Sequence, residues 1–323
     1  MMKPKILVTG SIAVDYILTI SGKFHNCLQI NYDKIGMAVM ATSRSMQYGG
    51  TAGNISYNLG LLEIPHYVMS RVGKDFSDLG YAKHFESPNR ILALEYILND
   101  ITASCYIFND EISNQLSAFY EGALRHKLYV NIREKIKDVN EIRFAINAPQ
   151  NPNAMKNIAK QLEEMNINMI FDPGQVALAF SKPELESLLS KSYILICNEF
   201  EFNRICQILD RNQHEIADLV PRFIITKGAN GSILNLKNEE IFIPVVNPKD
   251  VKDTTGAGDG YRAGLLTGLI NEMPLDQCCQ LGAVIGSFVV ETVGGQTQVY
   301  TKKDVELRFE KTFNKKIKIR CEG

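Results

Sequence analysis

The segment with the clearest chemical potential is Asp253-Thr254-Thr255-Gly256-Ala257-Gly258-Asp259, which an apolar helical pattern follows. A glycine-rich turn at a helix start leaves backbone N–H groups without internal partners, at the positive end of the helix dipole. Such a start binds anions without a cationic side chain. The carboxylate of Asp259 could take a proton from a hydroxyl there, while the N–H groups hold the charge of a transferring phosphoryl group. The alternative is an ordinary first-turn acid that favours the helix dipole.

Two glycines also precede the helical pattern of Gly53 to Leu62, in the segment Gly49-Gly50-Thr51-Ala52-Gly53-Asn54. Glycines allow a backbone to approach a ligand closely. The amide of Asn54, on the first turn, could reach a substrate hydroxyl. On these residues alone, a glycine turn in which Asn54 caps the helix explains the pattern equally well.

A further acid, Asp15, ends the segment Gly10-Ser11-Ile12-Ala13-Val14-Asp15, directly after the predicted strand Lys5–Thr9. Ligands of open parallel sheets bind beyond the carboxyl ends of the strands. A carboxylate only accepts hydrogen bonds, so Asp15 could read the vicinal hydroxyls of a ribose. The alternative is a solvated loop acid.

Two more polar segments follow predicted strands. Asn198-Glu199-Phe200-Glu201 comes after Ile194–Cys197, and Thr226-Lys227-Gly228-Ala229-Asn230-Gly231 ends the run Phe223–Thr226. The second segment is a turn that can hold a nucleotide through backbone contacts. It is not a Walker A loop, and no Rossmann fingerprint follows the first strand.

These segments resemble, in the same chain order, the motifs of the ribokinase-like (PfkB) family of carbohydrate and nucleoside kinases. The resemblance extends from about Lys5 to Thr301 and includes Arg71-Val72-Gly73-Lys74-Asp75, in which Asp75 is expected to be structural. It implies that Asp259 is the catalytic base. It also implies an anion hole and an acceptor-substrate site, formed by Gly256, Ala257 and Gly258 and by Asp15, Gly49, Gly50 and Asn54, respectively.

The same resemblance assigns the ATP and metal sites. ATP would contact Asn198, Thr226, Gly228 and Gly231. Mg²⁺ takes hard oxygen ligands and keeps several waters, so Glu201 alone, acting through water, could organise it. Asp253 and the Thr255 carbonyl, with the loop Val293–Thr297, resemble elements that bind K⁺ in several family members, and K⁺ activation is left open.

The substrate is predicted to be a nucleoside such as adenosine. Thr51-Ala52-Gly53 lacks the lysine of ribokinase-like G-G-K-G-x-N segments and is closer to the adenosine-kinase-like branch. Four aromatic residues at 102–123 could stack on a purine or simply pack a lid onto the core: Tyr106, Phe108, Phe119 and Tyr120. A sugar kinase for ribose or fructose is the alternative. A silent binding protein of the same fold is disfavoured because Asp259 is present, and an oxidoreductase because the fingerprint is missing.

Alternating apolar runs and helical patterns from residue 141 predict parallel strands with helical crossovers. Ser232–Leu236 and Glu240–Pro244 are predicted to form an antiparallel pair. We therefore expect a single ribokinase-like domain over residues 1–323: a three-layer α/β/α core with a central, mostly parallel sheet. Insertions at about 13–48 and 91–120 would form a small β-sheet lid.

The composition limits the kinds of partner that this protein is expected to bind. The 323 residues have a net charge of −1, so no global field favours nucleic acid or an anionic membrane. No apolar run approaches the roughly 18 residues that span a bilayer, and the N-terminus lacks a signal-peptide pattern. Seven scattered cysteines favour reduced thiols in the cytoplasm. The lid edges could pair with a second subunit to form a homodimer. The basic tail Lys315–Arg320 alternates like an edge strand, and we interpret it as solvated charge.

Overall fold

The structure is a computed structural model that describes residues 5–31, 34–112, 114–126, 131–237 and 239–320. The strands, in chain order, are β1 (Lys5–Thr9), β2 (Ala13–Ile20), β3 (Leu28–Asn31), β4 (Lys34–Met37), β5 (Ala41–Gly49), β6 (His66–Met69), β7 (Arg71–Gly73), β8 (Arg90–Leu92), β9 (Glu95–Ile97), β10 (Ala103–Asn109), β11 (Gln115–Tyr120), β12 (Ile142–Asn147), β13 (Asn168–Phe171), β14 (Ile194–Asn198), β15 (Arg222–Thr226), β16 (Ser232–Leu236) and β17 (Glu239–Ile243). The helices are α1 (Phe24–Cys27), α2 (Thr51–Leu61), α3 (Tyr81–His84), α4 (Ile132–Lys135), α5 (Pro152–Glu164), α6 (Lys182–Ser190), α7 (Glu199–Leu209), α8 (Gln213–Leu219), α9 (Ala257–Ile270), α10 (Leu275–Val289) and α11 (Lys302–Phe313). Within these ranges, no helix combines the length and the apolar character needed to cross a membrane.

The main sheet contains nine strands in the order β17-β16-β15-β14-β13-β12-β1-β6-β8. Neighbouring strands from β15 to β8 are parallel. The strands β15, β16 and β17 pair antiparallel at one edge. This topology confirms the predicted central, mostly parallel sheet and the antiparallel pair after residue 231.

Helices cover both faces of the main sheet. In β1, Ile6 and Val8 contribute to one apolar core, whereas Leu7 contributes to the other. The first core includes residues of α2, α9, α10 and α11, and the second includes residues of α5 to α8. Because each face is buried, the strands are apolar at consecutive positions. The predicted three-layer α/β/α architecture is confirmed.

A separate four-stranded sheet has the order β11-β10-β2-β5. The predicted second insertion, 91–120, contributes only its later part to this small sheet. Its first strand, β8, instead pairs with β6 at the edge of the main sheet, and β9 pairs with β7. Without β8, β6 would be an edge strand with unpaired backbone groups, which a following extended segment can satisfy, so the pairing of β8 depends on tertiary proximity.

The tail Lys315–Arg320 forms no strand although its sequence alternates like one, and its charged residues are exposed, as the sequence analysis expected. The N–H of Ile319 donates to Glu306 Oε1 at 2.8 Å, and the N–H of Arg320 donates to Asn271 Oδ1 at 2.8 Å. A side chain of α11 and the side chain of the residue that follows α9 therefore take the place of a strand partner. The sequence analysis also assigned no element to α11, which begins at a capping box formed by Thr301 and Asp304.

Candidate active site

The start of helix α9 is an open helix end at the carboxyl edge of the main sheet. Gly256 adopts φ 79°, and a Cβ there would lie 2.8 Å from the Gly295 Cα, so only glycine fits this turn. The N–H of Ala257 donates to the Thr254 carbonyl at 3.2 Å. Among the residues described, the N–H groups of Gly256, Gly258 and Asp259 have no hydrogen-bond partner. The start of α9 can therefore receive an anion.

Asp259 lies on the first turn of α9 and is held by one hydrogen bond. Asn54 Nδ2 donates to Asp259 Oδ2 at 2.8 Å. Burial raises the pKa of Asp259 from its ordinary value of 3.8 to about 7, although Arg262 and the bond from Asn54 lower it. A carboxylate with a pKa near the working pH has the properties of a general base.

A buried amide network connects Asn54 to the rest of the molecule. Gln296 Nε2 donates to Asn54 Oδ1 at 3.0 Å and lies 2.7 Å from the Tyr81 hydroxyl. Tyr81 in turn donates to the Gly49 carbonyl at 2.7 Å. Asn54 and Gln296 are almost completely buried. Helix α2 and the loop before α11 therefore orient Asp259 together, a role for Gln296 that the sequence analysis missed.

Asp15 lies on β2 beside the paired glycines. A Cβ on Gly49 would lie 2.6 Å from Asp15 Oδ2, and one on Gly50, which has φ 85°, would lie 2.6 Å from the Ser11 carbonyl oxygen. Gly49 thus permits close packing of β5 against β2, and Gly50 permits close packing against the turn before β2. Burial, and secondarily the charge of Asp253, raise the pKa of Asp15 to about 6.

Asp253 connects two loops near the start of α9. Its carboxylate accepts hydrogen bonds from the N–H of Thr255 at 2.9 Å and the N–H of Gly294 at 2.8 Å. Asp253 therefore links the turn before α9 to the loop 293–297, and the K⁺ site with the Thr255 carbonyl stays a prediction. Among the described residues, no group of three or more His, Cys, Asp and Glu side chains is arranged to hold a metal ion.

Arg262 and Asp172 form a buried ion pair beside the first turn of α9, and the sequence analysis identified neither. Arg262 Nε and Nη2 donate to the two Asp172 oxygens, at 2.7 Å for Nη2, and Nη1 donates to the Gly258 carbonyl at 2.9 Å. Burial would lower the pKa of Arg262, but Asp172 outweighs it and raises that pKa. Asp172 directly follows β13, and its place at a strand's carboxyl end is the signal that could have identified it.

Asn198 and Glu201 satisfy each other at the start of α7. The N–H of Glu201 donates to Asn198 Oδ1, and the N–H of Asn198 donates to Glu201 Oε2, both at 2.8 Å. This capping box explains the N-x-x-E spacing in purely local terms. Burial raises the pKa of Glu201, and Asp172 adds to the effect.

The loop Thr226–Gly231 borders a cavity of about 360 Å³. Its lining is mainly apolar and includes Val246, Tyr261 and the first residues of α9, Ala257 and Gly258. A Cβ on Gly231, which has φ 81°, would lie 2.4 Å from the Ile243 carbonyl oxygen. Thr226, Gly228 and Gly231 all line this cavity, so the structure joins the predicted nucleotide loop to the predicted anion hole.

The small sheet separates the four aromatic residues that the sequence analysis grouped. The register places Asp15 opposite Cys105, and Cys105 opposite Phe119, in one row across three strands. Tyr106 pairs with Tyr16, one position further along, and therefore lies on the other face. Phe108 and Tyr120 share that other face by the same alternation. Of the four, only Phe119 lies on the face of Asp15.

Comparison with known proteins assigns the chain to a family. It matches the pfkB family carbohydrate kinase profile over residues 4–302. It is 31% identical over 308 residues to the nucleoside kinase of Methanocaldococcus jannaschii, covering 95% of this chain and 97% of that one. The crystal structure of that nucleoside kinase, an archaeal member of the ribokinase family, superposes with a TM-score of 0.85 at 30% identity and covers 96% and 100% of the two chains.

A second solved structure, that of Burkholderia thailandensis nucleoside kinase in complex with inosine, has a TM-score of 0.81 at 28% identity. It covers 96% of this chain and 99% of that one, and the same kinase is known in complex with ADP-inosine. The chain belongs to the PfkB family of carbohydrate kinases and has the ribokinase-like fold. It is an enzyme of the phosphotransferase class, with a hydroxyl group as acceptor.

Proposed function

We propose that this protein is an ATP-dependent nucleoside kinase that phosphorylates the hydroxymethyl group of a purine nucleoside, with adenosine as the first candidate. The observation that carries the proposal is the position of Asp259, a carboxylate with a pKa of about 7, at a helix start with open N–H groups. The similarity to kinases named for nucleosides along almost the whole chain supports the substrate class.

Asp259 acts as the general base. Near neutral pH the carboxylate of Asp259 is ionised in about half of the molecules, because its pKa is about 7. Asn54 orients it through the bond to Oδ2, and the other carboxylate oxygen accepts the proton of the attacking hydroxyl. The N–H groups at the start of α9 stabilise the negative charge that develops on the phosphoryl group.

ATP fits the cavity beside α9. The lining of the cavity is mainly apolar, which suits a buried base, and it includes Gly258, whose N–H has no partner among the described residues and could bind a phosphate. Thr226, Gly228 and Gly231 would hold the nucleotide, with Asn198 near the phosphates. Mg²⁺ would neutralise phosphate charge when bound, and Glu201 would hold it through water with Oε1, the oxygen outside the capping box. The K⁺ site would use Asp253 and the Thr255 carbonyl.

The nucleoside would lie along the inner row of the small sheet. Asp15, beside Gly49 and Gly50, would accept the ribose hydroxyls. Adjacent strands are about 4.8 Å apart, so Phe119 lies two strand spacings from Asp15 in the same row of the sheet. The Phe119 side chain is 52% exposed, which leaves its ring available to stack on a purine.

The first test measures ADP release with ATP and Mg²⁺ across adenosine, inosine, guanosine, ribose and fructose, for the wild-type enzyme and Asp259→Asn. We expect turnover of purine nucleosides and a loss of kcat on the order of 10²–10⁴-fold in the variant. Turnover of free sugars alone would overturn the substrate class. A variant that keeps full activity would overturn the role of Asp259.

A second test addresses the base-stacking role of Phe119. Phe119→Ala should raise the KM for adenosine by about fivefold or more, because one stacking contact contributes ~1–3 kcal/mol. Tyr106→Ala is the matched control, since it removes a half-exposed ring from the opposite face of the same sheet. Equal effects of the two substitutions would contradict the stacking role.

A further inference from the structure

Arg262 donates hydrogen bonds in two directions from a buried position on α9. Its Nε and Nη2 bind the carboxylate of Asp172, which is 1% exposed, and its Nη1 binds the Gly258 carbonyl. A Cβ on Gly258 would lie 2.9 Å from Nη1, so the glycine leaves the space through which the guanidinium reaches the helix start. The same glycine therefore has an open N–H and a carbonyl anchored by Arg262.

The guanidinium is surrounded by acids. Asp172 follows β13, Asp259 is three residues before Arg262 on α9, and Glu201 on α7 also interacts with its charge. Asp15 from β2 and Asp172 act on Asp259 as well. On α2, the neutral amide of Asn54 completes the surroundings of Asp259. Arg262 is the cation whose charge lowers the pKa of Asp259 in the described part of the chain.

We propose that Arg262 is a positioning residue of the phosphotransfer site, which anchors the Gly258 peptide and balances the charge of Asp259, while Asp172 keeps the guanidinium in place. This inference rests on the proposed function, because it requires Asp259 to act as the base. A fork-shaped guanidinium is needed for the geometry, since a lysine cannot bind both Asp172 oxygens and the carbonyl together.

Arg262 and Asp172 have opposite charges, so their removal should shift the pH profile of kcat/KM in opposite directions. Arg262 lowers the pKa of Asp259, and Asp172 raises it. Arg262→Gln should therefore move the acidic limb of the pH profile of kcat/KM upward, on the order of one pH unit, and higher pH should restore part of the lost activity. Asp172→Asn should move the same limb downward. A purely structural role of the pair would lower activity in both variants without moving the limb.

The experiment records kcat/KM from about pH 5 to pH 9 for the wild-type enzyme, Arg262→Gln, Asp172→Asn and the double variant. The double variant removes one positive and one negative charge, so it leaves the net charge of the interior unchanged and serves as the test if a single variant fails to fold. Because Arg262 affects Asp259 more strongly than Asp172 does, the double variant should keep a limb above the wild-type value. ATP protection against thermal unfolding checks that each variant retains a nucleotide site.

An unchanged limb in folded Arg262→Gln and in the double variant would overturn the inference, as would shifts of equal sign in the two single variants. Asp259→Asn separates this failure from that of the proposed function. If Asp259→Asn is inactive while the limb of Arg262→Gln is unchanged, only the inference about Arg262 fails. If Asp259→Asn is active, the proposed base itself is wrong.

Discussion

Helices α2 and α9 both begin at a glycine with positive φ, Gly50 at 85° and Gly256 at 79°. Their backbone N–H groups have different partners. At α2, the N–H of Thr51 donates to Ser11 Oγ at 3.0 Å, and the N–H of Ala52 donates to the Ser11 carbonyl at 2.9 Å. At α9, the N–H of Ala257 donates to the Thr254 carbonyl, but among the described residues the N–H groups of Gly258 and Asp259 have no acceptor. Similar glycine-rich motifs therefore form two different helix starts. At α2 the N–H groups are paired within the protein, and at α9 they can bind an anion.

The difference shows that glycine at a helix start does not by itself define an anion site. At α2 the turn after β1 supplies the acceptors, so the glycines serve close packing against Ser11. At α9 no such segment covers the helix end in the described structure. The open end of α9 leaves donors for a ligand, at the cost of unsatisfied groups in the free protein.

The largest effect on activity should come from distorting the open start of α9. Gly256→Ala places a methyl group 2.8 Å from the Gly295 Cα at φ 79°, so the turn must shift and its donors with it. We expect kcat to fall on the order of 10²-fold or more. Gly22→Ala is the matched control: Gly22 has φ 83°, but its Cβ would meet only Cys27 Sγ, at 3.9 Å. Similar kinetic losses in both variants would indicate general backbone strain.

A smaller effect concerns stability and its pH dependence. The pKa of Asp259 is about 7 when folded and 3.8 ordinarily, so the folded state binds the extra proton between these values. Wild-type stability therefore falls as pH rises through this window. Asp259→Asn avoids this loss and should be more stable above about pH 7, by ~1–3 kcal/mol, but not near pH 4. Urea unfolding at several pH values measures the free energy of unfolding of both proteins. A difference between them that does not change with pH would contradict the linkage.

The smallest effect should come from the start of α2, where the N–H groups are already paired. Ser11→Ala removes the side-chain acceptor of the Thr51 N–H, which should cost ~1 kcal/mol of stability and leave kcat nearly unchanged. Asn212→Ala is the comparison, because Asn212 Oδ1 caps α8 by accepting from His214 at 3.0 Å, far from the site. Both are measured by thermal unfolding and by kcat. A large loss of kcat in Ser11→Ala alone would show that the start of α2 takes part in the chemistry.

The sequence analysis predicted most of the core, because buried parallel strands and their crossover helices have distinct local periods. It missed the pairing of β8 with β6, since a three-residue strand has no period of its own. It also placed Tyr106 and Phe119 in one group, although alternation along paired strands puts them on opposite faces. That separation depends on the register between strands, which a single sequence does not specify.

The amino-acid sequence by itself determined the alternating core, the glycine turn before α9 and the acid that follows it, because each is a property of a few consecutive residues. Only the tertiary structure decided which glycine-rich helix start stays open. It also joined Arg262 to Asp172 across 90 positions of the chain, and Gln296 to Asn54 across 242. Such contacts depend on how strands and helices pack in space, and residues so far apart share no local pattern from which to infer them.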